Sequence, residues 1–60
     1  MSPKELLYVE DALAHMKFMK EKCQYAAGQV SDENLKQLLE RVSNKHQMMF
    51  DNIYSLLENC

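Results

Sequence analysis

The chain has 60 residues, 47% of them apolar, and a net charge of −2. This length allows one domain, whose own core supplies only roughly 3–5 kcal/mol unless a disulfide, a metal or another subunit adds to it. No lysine- or arginine-rich run is present, which argues against nucleic acid as a partner. No segment resembles a signal peptide or a membrane span, so we expect an intracellular protein without membrane insertion.

The first predicted helix begins at the sequence SPKE, residues 2–5. Ser2 can act as N-cap, Pro3 suits the first helical position, and Glu5 completes a capping box. Leu, Met, Lys, Glu and Gln are frequent in the chain, and these residues favour helices. We predict a helix over about residues 3–28, with Gly28 near its C-terminus.

The sequence AGQVSDEN, residues 27–34, predicts a turn at about 29–31. Ser31 is the predicted N-cap of the second helix, and the acidic residues Asp32 and Glu33 follow in its first turn. This helix is predicted over about residues 32–59. A connection this short makes the two helices antiparallel neighbours, so the predicted fold is an all-α helical hairpin in a single domain, residues 1–60.

Apolar residues recur at alternating steps of three and four in both helices, as in bundles and coiled coils. We call the face on which each helix packs against the other its inner seam. The predicted inner seam of the first helix is Leu6, Val9, Leu13, Met16, Lys20, Cys23, Ala27 and Val30. That of the second helix is Leu35, Leu39, Val42, His46, Met49, Ile53, Leu56 and Cys60. The hairpin places Met16 opposite His46 and Leu13 opposite Met49.

A second apolar stripe lies on the first helix, nearly opposite its inner seam. This outer stripe consists of Leu7, Ala14, Phe18 and Tyr25, and the apolar face of the second helix is widened by Leu38, Phe50 and Leu57. A lone hairpin buries one face of each helix, and a large exposed apolar patch usually marks an interface. We therefore predict a homodimeric four-helix bundle, or a larger homo-oligomer, with these seven residues at the interface.

The sequence NKHQMMF, residues 44–50, places a histidine, His46, in the inner seam. A polar seam residue often fixes register or oligomeric state, and this is the preferred interpretation. A metal site in a bundle typically needs Glu and Glu-x-x-His ligands, but Met16 and Met49 stand at the neighbouring positions. Met16, His46 and Met49, with Met19, would suit only a soft ion such as Cu(I), and methionine is more often core filler. We predict no metal and no cofactor.

No arrangement of residues in the sequence indicates catalysis. Ser-His-Asp sets, a glycine-rich phosphate loop and Cys-x-x-Cys are missing from the chain, so we predict no catalytic residue and no enzyme. Cys23 and Cys60 would lie roughly 30 Å apart along the hairpin, too far to pair within one chain. Cys23 is expected in the core.

The stretches KELLYVEDALAHMKFMKEKCQYA and DENLKQLLERVSNKHQMMFDNIYSLL resemble the short helical-hairpin proteins related to the F-type spore-coat family. The resemblance covers nearly the whole chain. It implies a ferritin-like architecture and a role in the spore coat of an endospore-forming bacterium. Members of the family often carry Glu at the position of Met16 and Glu-x-x-His at those of His46 and Met49. The resemblance thus implies that the ligands of a ferritin-like metal site have been replaced here.

Three functions follow as hypotheses. The first is a non-enzymatic structural or interaction protein of the spore-coat type, a homo-oligomer with other coat proteins as further candidate partners. The second is a ferritin-like metal-binding or redox protein with a degenerate site around His46. The third is a small regulatory module that binds another protein through its second apolar face.

Overall fold

The computed structural model describes residues 1–58, which form two α-helices. Helix α1 spans Pro3–Gln29, and helix α2 spans Glu33–Glu58. They pack against each other as an antiparallel hairpin that measures 45 × 16 × 10 Å. The predicted all-α hairpin is confirmed, and each described helix end lies within one residue of its predicted position. The predictions that the second helix continues to residue 59 and that Cys60 belongs to its inner seam concern residues outside the described range.

The start of α1 follows the predicted capping pattern. The hydroxyl oxygen of Ser2 accepts a hydrogen bond from the backbone N–H of Glu5 at 3.2 Å. The carbonyl oxygen of Ser2 accepts the first helical bond, from the N–H of Leu6, at 2.9 Å. Two of the donors that a helix N-terminus leaves without an internal partner are thus accounted for.

The turn differs in detail from its prediction. Helix α1 ends where Val30 adopts an extended conformation, with its N–H still bonded to the carbonyl oxygen of Ala26. Gly28 lies inside the last turn and has no positive φ. The N-cap of α2 is Asp32, because its carboxylate accepts from the N–H of Leu35 at 2.9 Å. The prediction of Ser31 as cap is wrong by one residue, since the chain turns into the helix only after Ser31.

The core of the hairpin is small and lies mostly on α1. Its buried apolar residues are Leu13, Cys23 and Ala27. All three belong to the predicted inner seam of α1, and the remaining members of that seam except Leu6 are half-buried. The prediction that Cys23 is a core residue is confirmed, and its thiol is free.

The inner seam of α2 is rotated from its predicted position. The buried or half-buried apolar and polar residues on the side towards α1 are Leu39, Val42, Ser43, His46, Phe50, Ile53 and Leu57. Four of the seven described members of the predicted seam are thus among them. The predicted seam members Leu35, Met49 and Leu56 are exposed instead. The physical reason is Ser43, only 2% exposed, whose hydroxyl donates to the backbone carbonyl oxygen of Lys20 at 3.3 Å. A small side chain at this point lets α2 approach the backbone of α1 closely, and the neighbouring positions turn with it.

Candidate functional site

A cleft opens between the helices at the middle of the hairpin, and it contains the histidine that the sequence singles out. The cleft has a volume of about 200 Å³. Its lining residues are Met16, Lys17, Lys20, His46, Gln47 and Phe50. The first three come from α1 and the last three from α2, so the predicted juxtaposition of Met16 with His46 is found in the fold. We call this feature the central cleft.

The imidazole of His46 is held by its own helix. Its Nδ1 atom lies 2.9 Å from the carbonyl oxygen of Val42, one turn earlier. A carbonyl oxygen only accepts hydrogen bonds, so Nδ1 is the donor, and in a neutral ring the lone pair is on Nε2. One of the two polar atoms of the ring is therefore satisfied without any contribution from α1. This explains how a histidine can occupy a half-buried seam position.

The three weak metal-ligand candidates are only partly brought together. Met16 and His46 share the central cleft, but Met49 is not among its lining residues and is exposed. Of the residues that could bind a soft metal ion, the cleft thus contains one methionine and one histidine, and Lys17 and Lys20 line it as well. The positive charges of these two lysines oppose the binding of a metal cation nearby. Among residues 1–58, no group of three His, Cys, Asp or Glu side chains is placed to hold a metal ion.

The groups in the central cleft do not form a recognisable catalytic set. A nucleophile acts through a nearby base, and a base through a group that orients it. The six lining residues include no Asp, Glu, Ser or Cys. Gln47 donates from Nε2 to Asp51 Oδ1 at 2.8 Å, so its amide is engaged along the exposed side of α2. The geometry favours packing over chemistry at this level of the hairpin.

The predicted interface residues lie on different sides of the hairpin. The outer stripe of α1 points away from α2, with Phe18 53% and Tyr25 69% exposed and Leu7 and Ala14 exposed as well. Leu38 is also exposed, whereas Phe50 and Leu57 are half-buried against α1. The Phe18 ring lies 5.3 Å from the Nζ atom of Lys22, at the distance of a cation–π contact. Whether these residues meet a partner stays a prediction.

Sequence reasoning missed Ser43, the residue that determines how closely the helices approach. Serine is most often exposed, and a polar residue next to an apolar seam gives no signal of burial. Its burial here depends on the bond to the Lys20 carbonyl oxygen, which lies 23 residues away in the chain. No pattern in the sequence indicates this bond, because every residue of α1 carries a backbone carbonyl oxygen.

Neither helix, over residues 1–58, is long and apolar enough to cross a membrane. Comparison of the chain with protein-family models, with curated proteins and with solved structures finds no match.

Proposed function

We propose that this chain is a non-enzymatic structural or interaction protein that works as a homo-oligomeric helical bundle. The observation that carries the proposal is the disproportion between the buried core and the exposed apolar surface. Three apolar side chains are buried in the described hairpin, while twelve large hydrophobic residues are exposed. A chain of this size gains little stability from a core so small, and association is one of the few ways to add to it.

The composition of the central cleft supports the non-enzymatic part of the proposal. Its polar lining residues are two lysines, one histidine and one glutamine. General acid–base or nucleophilic catalysis uses groups within hydrogen-bonding reach of one another, and His46 is instead bonded to the main chain of its own helix. The role of His46 in this proposal is to fill the seam.

The spore coat is the proposed setting, and it rests on the sequence resemblance. A coat protein is an element of an extended assembly, so a small hairpin that depends on association suits that role. The role predicts that the chain is recovered with the insoluble coat fraction of purified spores. Recovery from vegetative cells alone would contradict it.

Sedimentation equilibrium of the full chain tests the oligomer. We expect a mass of at least twice 7.1 kDa at micromolar concentration, with helical circular dichroism. A stably folded species of 7.1 kDa at those concentrations would contradict the proposal.

A further inference from the structure

We infer that one broad face of the hairpin, formed by both helices, is the surface on which a second copy of this chain docks. This inference rests on the proposed homo-oligomer and deepens it by naming the surface. It differs from the interface expected from the sequence, because the outer stripe of α1 is not part of it.

The flat shape of the hairpin defines two broad faces. With extents of 45 × 16 × 10 Å, the molecule is a slab whose two largest surfaces each contain one side of α1 and one side of α2. The central cleft opens on one of them, beside Lys17 and Gln47. A second depression, lined by Gln24, Lys36 and Glu40 among others, lies on the same side. Between the two depressions that face carries mainly charged and amide side chains, and its exposed apolar residues, Leu6 and Tyr54, lie towards the open end.

The opposite broad face is apolar. At about 100° per residue, a single side of each helix carries a series of apolar positions. On α2 they are the exposed Leu35, Leu38, Met49 and Leu56, with the half-buried Val42 and Ile53 where this face borders the inner seam. On α1 they are Tyr8, Ala12, Met19 and Ala26. We call this surface the broad apolar face. Polar residues border this surface: His15 and Lys22 lie along the outer margin of α1, Arg41 and Lys45 along that of α2, and the exposed Glu5 lies at its open end. The surface thus has an apolar centre and a polar rim, as interfaces do.

The exposure of these residues shows that the hairpin alone leaves them largely uncovered. Tyr8, Leu35, Leu38, Met49 and Leu56 are between 40% and 65% exposed. Ala12, Met19 and Ala26 are half-buried although they belong to neither predicted stripe, because α2 partly covers that side of α1. A partner placed against this face would therefore extend the existing core instead of starting a separate one.

The area of the face agrees with a second copy as the occupant. The face projects onto a rectangle of 45 × 16 Å, or about 700 Å². This is of the same order as the accessible surface of about 800 Å² that each partner buries in a standard stable interface. Two such slabs placed face to face form four layered helices with one continuous core. The outer stripe of α1 lies on the narrow edge, where only one helix supplies contacts, and its Phe18 ring already has the Lys22 ammonium beside it.

Matched variants of the full chain distinguish the two surfaces. Leu38 and Phe18 are 50% and 53% exposed, so a new carboxylate should cost similar amounts within the hairpin itself. We expect Leu38→Glu and Met49→Glu to raise the dissociation constant of the dimer at least about tenfold, because they place a charge in the apolar centre. Phe18→Glu and Tyr25→Glu should change it by less than about threefold. Sedimentation velocity over a concentration series gives all five constants.

The outcomes separate this inference from the proposed function. If Phe18→Glu dissociates the assembly while Leu38→Glu and Met49→Glu leave it intact, or if both sets weaken it equally, the broad apolar face is wrong and the homo-oligomer stands. If the unmodified chain is a folded monomer throughout, the proposed function fails first. Should Leu38→Glu lose helical signal at low concentration, Leu38→Ala replaces it. If the helical signal of Leu38→Ala returns at high protein concentration, the inference is supported. If the helical signal of Leu38→Ala is lost at every concentration, the inference is overturned.

Discussion

Near the turn, Cys23, Ala27 and Ser43 are all buried, whereas Leu13 is the one buried residue among those described towards the free ends of the helices. The turn half, residues 17–45, has small side chains in its seam, and the backbones approach closely enough for a side chain of α2 to reach a carbonyl group of α1. The open half, residues 1–16 and 46–58, has larger seam residues that stay half-buried, Phe50 and Leu57 among them.

The comparison teaches that side-chain size, more than hydrophobicity, decides what one hairpin can bury by itself. The central cleft lies where the two halves meet, and the half-buried Met16 and Phe50 are among its lining residues. The Phe50 ring stacks on Tyr54 of its own helix, with centroids 6.0 Å apart and planes 8° from parallel. One side of the Phe50 ring is thus covered by a residue of its own helix. In the proposed dimer, we expect the open half to gain most from a second copy, because it has the fewest buried residues of its own.

The largest expected effect is that of truncating the one buried side chain in the open half. Leu13→Ala should destabilise the protein by about 2–3 kcal/mol, because it opens a cavity in a region with no other complete packing. Leu7→Ala, at a 60% exposed position six residues away, should change stability by less than about 0.5 kcal/mol. Urea unfolding at one fixed protein concentration measures both. Equal effects would show that the open half has no core of its own.

A smaller effect is expected from enlarging the contact in the turn half. Ser43→Leu should destabilise by about 1–3 kcal/mol despite its greater hydrophobicity, because the close approach of the backbones leaves no room. Ser43→Ala, which keeps the small size and removes the hydrogen bond to Lys20, should cost about 1 kcal/mol. The same unfolding experiment compares them. Stabilisation by leucine would mean that the two halves do not differ in helix separation.

The cap of α2 provides a third test within the turn half. Asp32→Ala should destabilise by about 1 kcal/mol, because it removes the acceptor for the N–H of Leu35. Ser31→Ala should have an effect of at most a few tenths of a kcal/mol, as expected for a surface change away from a cap. Thermal unfolding followed by circular dichroism is sufficient. A larger loss of stability from Ser31→Ala than from Asp32→Ala would show that Ser31 is the cap.

The smallest expected effect is a gain. A Cβ atom added at Gly28 would meet no atom within 4 Å, and its backbone is helical without a positive φ. Gly28→Ala should therefore stabilise by about 0.5 kcal/mol, through a better helix propensity and a less flexible unfolded chain. A loss of stability on thermal unfolding would indicate that the turn needs a left-handed residue after all.

Local signals in the sequence were sufficient for the helices and for the inner seam of α1. Ser2 and Pro3 mark a helix start by their own chemistry, and the steps of three and four from Val9 to Ala27 need no knowledge of the partner helix. Local signals do not distinguish between two neighbouring residues that can both act as N-cap. Ser31 and Asp32 can both cap a helix, and the choice depends on where the chain after Val30 turns, which no local pattern encodes.

Features that depend on the distance between the helices could not be predicted from the spacing of apolar residues along the sequence. The rotation of α2 follows from the burial of Ser43, and that burial exists only because a carbonyl group of α1 lies beside it. The sequence predicts that His46 faces Met16, and the central cleft contains this pair. Met49 is exposed, because the rotation of α2 turns its position away from α1. The rotation of α2 also determines which apolar side of the hairpin remains uncovered.

The bond between Ser43 and Lys20 joins a side chain on α2 to the main chain on α1. The two positions therefore differ in the substitutions they tolerate. Nearly every residue that keeps α1 helical supplies the same carbonyl oxygen at position 20, so this bond does not restrict the side chain there. Position 43 needs a small side chain and gains from a hydroxyl, a combination that few amino acids provide. In a library of variants selected for folding, we expect position 20 to accept many residues and position 43 very few, although both are polar places in an apolar seam.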